Sequence, residues 1–594
     1  MYISRITINN FRNFRNLDVQ LTENSVIVGE NKVGKSNLLY ALRLILDPTL
    51  PDSARQLREE DFWDGLSRPL EKNVAISVSV EFSDFDGDDR HLANLGEFLV
   101  SPEPMVARLT YVFAPSASQS DTPSESDYEF FLFGGENLDT RISTEFRRRL
   151  PMDLLPALRD AEGDLANWRR SPLRPLLDEV ATNMDRSVLD GIATEIAEAT
   201  STITDTPEIE GLASSITTRL TEMVGGAQAL ETTLGFSPTE GDRLLRSLRL
   251  FIDGGKRGVA DASLGSANLL YLALKALELE QLASKGKRDH TFLAIEEPEA
   301  HLHPHLQRLM YRDLLKPRAH QPAGDQPTRP ATSIFLTTHS PHIVSVAPLE
   351  SIVLLRRSKD GSTSGLSTAQ LSLDETDRDD LERYLDVTRA EILFARGVIL
   401  VEGEAETYIV PALAKLIGYD LDQQGITVCS VAGINFAPHV KLLAALQIPF
   451  AVLTDFDPQD DGGNLGEARV QKLLALLQPP KPPKLKPQAT NQTELAKKHG
   501  LFLNDYTLEV DLFRCGRHKS VCATISDLTE VGIAKTRAAA WQAKPDSLDA
   551  KRFLADIDAI GKGRFAQRLA SRMKRTICPP YIAEAIAYVA SRIA

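Results

Sequence analysis

The stretch SVIVGENKVGKSNLLYAL, residues 25–42, decides how the rest of the chain is read. SVIVG is a buried-strand run ending on glycine, and SNLLYAL sets apolar residues at helical spacing. Between them GENKVGKS, residues 29–36, fits G-x-x-x-x-G-K-S. Gly29 and Gly34 let the backbone fold so that its N–H groups face phosphate oxygens, and the next helix adds partial positive charge. Lys35 is expected to reach the β- and γ-phosphates and Ser36 to bind Mg²⁺, with Asn31 and Asn37 beside them.

A phosphate loop needs a carboxylate partner. TFLAIEEPEAHLHP, residues 291–304, supplies an apolar strand, Phe292–Ile295, ending in Glu296 and Glu297. Glu296 is expected to hold Mg²⁺ through water, and Glu297 to orient or deprotonate an attacking water. ASLGS at 262–266, ahead of the helix ANLLYLALKAL, resembles the signature loop of ABC-type ATPases through Ser263 and Gly265, with Leu264 where a first glycine is usual. SIFLTTHSPH at 333–342 is a strand followed by His339, which matches the switch histidine of such engines. The opening ISRITINNFRNFRNLDVQL, with Phe11, Arg12 and Phe14, resembles RecF and SMC-like ATPases. The resemblance implies ATP as the ligand. It also implies a homodimer or higher assembly, tetramers included, because the signature loop serves the opposite subunit. Gln56 is the candidate for the glutamine of the Q-loop.

At 594 residues the chain is too long for one core, and roughly 150 residues per domain suggests three or four. With 42% hydrophobic and 25% charged residues it reads as a globular protein. No apolar run approaches the ~18 residues that span a bilayer, and the N-terminus shows no secretory pattern. Cys429, Cys515, Cys522 and Cys578 form no CxxC pair and read as reduced thiols, so a cytoplasmic setting without membrane contact is expected. The net charge of −15 excludes a uniformly basic surface but not a local basic groove. From Gly561 to Ala594 seven Lys/Arg stand against one acid, Glu584.

Residues 74–82, VAISVSVEF, alternate as a strand; 115–127 form a Ser/Pro-rich loop. Residues 145–250 read as a helical insertion able to pair with a second copy. Residues 318–330 form a Pro-rich loop, and 478–493 a stiff basic connector. From 395 a new pattern begins: GVILVEG, helix PALAKLIGY, ITVCSVAG, HVKLLAALQ and PFAVLTDFD. Strand, helix, strand, helix, strand implies a small parallel sheet with right-handed crossovers.

Here a second cluster of chemistry appears. VILVEGEAE, residues 398–406, places Glu402, Glu404 and Glu406 at alternating positions after an apolar strand. LTDFDPQDD at 453–461 ends another strand in Asp455 and Asp457. Ligands collect at such strand ends. Converging carboxylates without a compensating base repel one another, and hard divalent cations, Mg²⁺ or Mn²⁺, resolve that. An acidic surface turn is the competing reading of LTDFDPQDD alone.

VEGEAE, VAGINF at 431–436 and TDFD resemble the Toprim fold of topoisomerases, primases and nucleases, which makes Glu402, Asp455 and Asp457 metal ligands. An ABC-type head followed by Toprim resembles the OLD (overcoming lysogenization defect) family of ATP-dependent nucleases, including the nuclease subunit of Gabija phage-defence systems. That resemblance adds Glu406 from LVEGEAETYIVPAL. DYTLEVDLF at 505–513 adds Glu509 for a second metal ion and, more weakly, Asp511; GKGRFAQRLA at 561–570 adds Lys562 to stabilise charge on the phosphate. The resulting architecture is α/β multidomain. Residues 1–144 and 251–390 form an ABC/SMC-like head around the 145–250 insertion, and 391–594 form a Toprim domain with helical C-terminal elements. The implied activity is ATP-dependent, two-metal cleavage of DNA in anti-phage defence. The alternatives are a RecF/SMC-like repair ATPase whose Toprim region binds without cutting, and a regulatory ATPase acting through a helicase or retron-type partner.

Overall fold

The computed structural model describes residues 1–594 apart from 68–69, 72, 117–122, 158–159, 168, 225–231, 235–247, 316–331, 372, 386, 460–462, 479–491, 575 and 594. The Pro-rich loop, the basic connector, Asp460 and Asp461 therefore lie wholly or mostly outside the described residues.

Two sheets build the N-terminal part. The first is antiparallel, in the order Phe14–Gln20, Tyr2–Phe11, Ile76–Ser83, Met105–Pro115, Leu99–Pro102, with Tyr128–Gly134 also on Met105–Pro115. Its alternation is clean: Ile76, Val78, Val80 and Phe82 are buried while the residues between them are not. The second sheet runs Thr363–Ser367, Ile352–Arg357, Ser25–Gly29, Thr332–Thr337, Thr291–Glu296, Met152–Leu155. All but its first strand are parallel. The helix Lys35–Leu46 shares one core with both sheets, burying Leu38, Leu39, Leu42 and Ile45 among Val78, Val80, Phe292 and Phe335.

Met152–Leu155 is an edge strand of the head sheet, inside the span read as helical insertion. Four residues are too few to display a period, and their pairing with Phe292–Ile295 is what makes them a strand. The insertion proper is carried by the helices Leu173–Asn183, Arg186–Thr204 and Pro207–Val224.

The C-terminal sheet is parallel in the order Ile426–Ser430, Gly397–Val401, Phe450–Thr454, Leu501–Leu503. Its last strand has only three residues and was not evident from the sequence. Successive side chains alternate between two cores. Val398 and Leu400 join Val26, Val28 and Leu354 of the head in one continuous buried cluster. Ile399 and Val401 join Phe502, Leu508, Phe565 and Ile582 of the C-terminal helices in another.

The two lobes are also tied by polar contacts. Arg356 donates to the carbonyls of Arg396 at 2.9 Å and Gln447 at 3.2 Å. Arg396 in turn faces Glu30 of the phosphate loop at 3.5 Å.

The helix after the VILV strand spans Glu404–Leu416 and starts seven residues before Pro411. The sequence reading begins this helix at Pro411, which instead sits in the helix interior. Two residues apart on a helix is a rotation of about 200°, so Glu404 and Glu406 face opposite ways. Glu404 is exposed and Glu406 turns inward.

Candidate functional site

The phosphate loop is braced from the N-terminal strands. Gly34 has φ +97°, and a Cβ there would overlap the Asn13 amide. Asn13 Nδ2 donates to Val33 O at 2.8 Å and to Thr363 Oγ1 at 2.8 Å. Asn37 donates to Asn13 Oδ1 at 2.7 Å and accepts from Arg12 at 2.9 Å, so its amide supports the loop from behind. Asn31 and Ser36 are exposed. Lys35 is buried, with Nζ donating to the carbonyls of Gly29 and Glu30, both at 3.1 Å. Burial lowers its pKa against the opposing charges of Glu297 and Glu299.

Glu296 ends its strand and Glu297 follows with φ +40°. Glu297 Oε1 stands 3.6 Å from His339 Nε2. Burial and then the Lys35 charge depress the His339 pKa, with Glu297 opposing. Glu299 was not singled out in the sequence. Its Oε1 accepts the His339 amide N–H at 2.6 Å and its Oε2 the Thr338 hydroxyl at 2.9 Å, so it ties the acidic loop to the switch strand. Burial, with Glu297 adding to it, raises its carboxyl pKa. The third acid of EEPE was the available clue.

Ser263 caps the helix Leu264–Ser284, accepting the Ser266 N–H at 3.3 Å. Gly265 lies against the His301 carbonyl, and Ser263 and Leu264 are exposed. Gln56 gives its amide to Tyr128 O at 2.6 Å and so serves the antiparallel sheet.

The second site forms where strands of the C-terminal sheet end. Glu402 Oε1 accepts from Thr454 Oγ1 at 2.6 Å, the Asp455 N–H at 2.9 Å and Arg469 Nη1 at 2.5 Å. Asp455 Oδ1 accepts from Asn504 Nδ2, whose own Oδ1 takes the Phe456 N–H at 2.7 Å. Asp457, at φ +50°, pairs with Arg469 Nη2 at 2.9 Å. Burial, then the charges of Glu402, Glu406, Glu509 and Asp457, push the Asp455 carboxyl well above the usual range. Burial, with Glu509 and Glu402 adding to it, pushes Glu406 up to about 7. Glu509 is 3% exposed and its Oε2, fully buried, has no hydrogen-bond partner.

Lys562 is the first residue of the helix Lys562–Ala570. A cation at a helix N-terminus opposes the macrodipole by roughly 0.3–1 kcal/mol, so the acids must hold it there. Burial works against its charge, but Glu509, Asp558, Asp455 and Glu406 outweigh that and raise its pKa. Asp511 is occupied otherwise: its Oδ2 accepts the N–H groups of Asp505 and Tyr506 at 3.1 and 3.3 Å, fixing the loop before Glu509.

The charges of Glu402, Glu406, Asp457 and Glu509 thus all bear on Asp455, with Lys562 at the edge of the group. Hard oxygen donors in excess over bases suit Mg²⁺ or Mn²⁺, and the orphaned Glu509 oxygen points the same way. Among the described residues no three His, Cys, Asp or Glu side chains stand close enough together to hold a metal ion. Arg469 and Asn504 hold oxygens of Glu402, Asp457 and Asp455 on other partners. Neither residue was anticipated, because each lies outside the acidic motifs.

The chain matches two family models: "AAA domain, putative AbiEii toxin, Type IV TA system" over residues 25–345, and "Overcoming lysogenization defect protein-like, TOPRIM domain" over 393–457. It is 40% identical to the C-terminal region of the Burkholderia pseudomallei OLD protein, covering 34% of this chain and 100% of that one, with a TM-score of 0.31. The chain belongs to the OLD family. Other relatives are the OLD nuclease of Thermus scotoductus, 26% identical over 77% of this chain and 82% of that protein, and endonuclease GajA of Bacillus cereus, 23% identical over 80% and 78%. In this OLD-family protein the residues matched to the AAA domain carry the nucleotide motifs, and those matched to the Toprim domain carry Glu402, Glu406, Asp455 and Asp457.

Proposed function

We propose that this protein is an ATP-binding and ATP-hydrolysing, divalent-metal-dependent DNA endonuclease acting in defence against phage. The observation that carries the reading is the half-buried acidic cluster at the ends of the parallel Toprim strands, with Glu509 buried. It raises the pKa values of Asp455 and Glu406 and leaves a Glu509 oxygen without a partner. The relatives named as nucleases support the substrate class.

Glu402, Asp455 and Asp457 would hold one cation, and Glu406, Asp455 and Glu509 a second. Bound divalent ions supply Lewis-acid activation of water and stabilisation of the leaving oxygen. The chain's own groups do the rest. Asn504 orients Asp455, Thr454 and the Asp455 amide orient Glu402, and Lys562 offers its ammonium to the charge that develops on the phosphate. In the head, Lys35 and Ser36 serve the nucleotide, Glu297 and His339 face its γ-phosphate, and Glu299 fixes the His339 backbone.

Exposed apolar residues on the helical arm, Val188, Ile192, Ile203, Leu212 and Ile216, support a homodimer through that arm. No described helix is long and apolar enough to cross a membrane.

The test is nicking of supercoiled DNA by full-length protein with Mg²⁺ or Mn²⁺, comparing no nucleotide, ATP and a nonhydrolysable analogue. Metal-dependent nicking by the wild type, lost in Asp455→Ala, is expected. An ATPase that binds DNA but leaves it intact under every condition would replace this reading with the DNA-repair one.

A further inference from the structure

The two halves of the acidic cluster are not equivalent. The helix Gly466–Leu477 starts hard against a strand end, where a Cβ on Gly466 would meet the Asp455 carbonyl and the Leu503 side chain. That approach delivers Arg469, whose side chain is only 9% exposed, into the acids. Its Nη1 bonds Glu402 Oε1 and Thr454 Oγ1, and its Nη2 bonds Asp457 Oδ2 at 2.9 Å. One guanidinium therefore spans the two carboxylates expected to share a cation with Asp455. Among the described residues the other half has no such cation in contact: Glu406 is half-buried, Glu509 Oε2 is unpartnered, and Lys562 stands at the rim.

We propose that Arg469 is a displaceable plug of the Glu402–Asp457 cation position, so that the two metal sites fill in order. The Glu406–Asp455–Glu509 position loads first. The Glu402–Asp457 position loads only when the guanidinium leaves, because a divalent ion and a guanidinium cannot take up the same carboxylate oxygens and repel each other at contact distance. A released guanidinium, planar and forked, is then free for a DNA phosphate oxygen. Arg469 is thus a positioning residue for the reaction, and the nuclease is held incompletely metallated until a second ion competes it away. The idea rests on the metal reading given above.

The test is Mn²⁺ binding by the full-length protein, followed by electron paramagnetic resonance of free Mn²⁺, without DNA and without an activity readout. The wild type is expected to show two classes of site, the weaker lying roughly tenfold or more above the tighter. In Arg469→Gln the weaker class should tighten about tenfold with the number of sites unchanged, whereas Arg469→Lys, which keeps the charge, should stay within a few-fold of wild type. An Arg469→Gln isotherm that superimposes on wild type, or that loses the weaker class, overturns the plug and leaves the metal site standing. Failure of wild type and Arg469→Gln alike to bind Mn²⁺ overturns the metal reading, and this inference with it. Should Arg469→Gln not fold, a wild-type structure with Mn²⁺ decides. Arg469 withdrawn from Glu402 and Asp457 supports the plug, and Arg469 still bonded to both beside an ion held by them overturns it.

Discussion

In the phosphate loop, Lys35 rests on two carbonyls of its own loop, and Asn13, Asn37 and Arg12 brace the turn from behind. In the Toprim lobe, Glu402, Glu406, Glu509 and Asp457 all bear on Asp455, and burial, with the Glu509 and Glu402 charges adding to it, pushes the Glu406 carboxyl up to about 7. On the function proposed here both regions meet phosphate with a divalent ion. The first is nearly satisfied by its own backbone and spends little stability on function. The second stores repulsion that a ligand relieves, which is the usual sign of a site whose groups are selected for chemistry over folding.

The contrast can be broken most sharply at Asp455. Asp455→Ala should cut nicking on the order of a thousandfold, about 4 kcal/mol in the barrier, while raising the melting temperature of metal-free protein. A thousandfold loss accompanied by a lower melting temperature would show that the acids support the fold after all.

A second difference concerns acid. His439 lies 1% exposed in the helix Ala437–Ala445, near Arg389, Asp380 and the Tyr384 ring. Burial and then the Arg389 charge lower its pKa from 6.5 to about 4. A histidine depressed in the folded state binds fewer protons there than when unfolded. The associated stability is present above pH 6.5 and is lost as pH falls toward 4. The loss amounts to at most roughly 3 kcal/mol. Urea denaturation at pH 7.5 and 5 should show a drop in wild type that is much smaller in His439→Leu.

In the head, Lys35→Ala should lower ATP hydrolysis by about a hundredfold, or 2.7 kcal/mol, yet leave Mn²⁺ binding by the Toprim lobe intact. Loss of both would erase the distinction between the two regions. The smallest effect is expected at Glu299. Glu299→Gln keeps one acceptor for the His339 N–H and should slow hydrolysis about tenfold, with a changed pH profile that a purely structural role would not give.

What the sequence disclosed follows the same division. GENKVGKS is contiguous, so strand, turn and helix were all legible in eighteen residues. The Toprim site draws on segments near 402, 455, 469, 504, 509 and 562, and only the acidic ones and Lys562 stood out. Arg469 and Asn504 look like ordinary polar residues until the fold sets them against the carboxylates. Only the OLD resemblance separated Glu406 from Glu404, and the helix beginning at Glu404 supplies the physical reason. Met152–Leu155 and Leu501–Leu503 are strands because neighbours pair with them, which no local period records.

The Arg356–Arg396–Glu30 link carries one more consequence. Arg396 immediately precedes the Toprim strand Gly397–Val401, and Glu30 is part of the phosphate loop. If nucleotide repositions Glu30 and thereby alters cation affinity at the far end of that five-residue strand, linkage requires the reverse effect to be equal. Whatever factor ATP imposes on Mn²⁺ binding, Mn²⁺ must impose on ATP binding, so either ligand can serve as the reporter of the other.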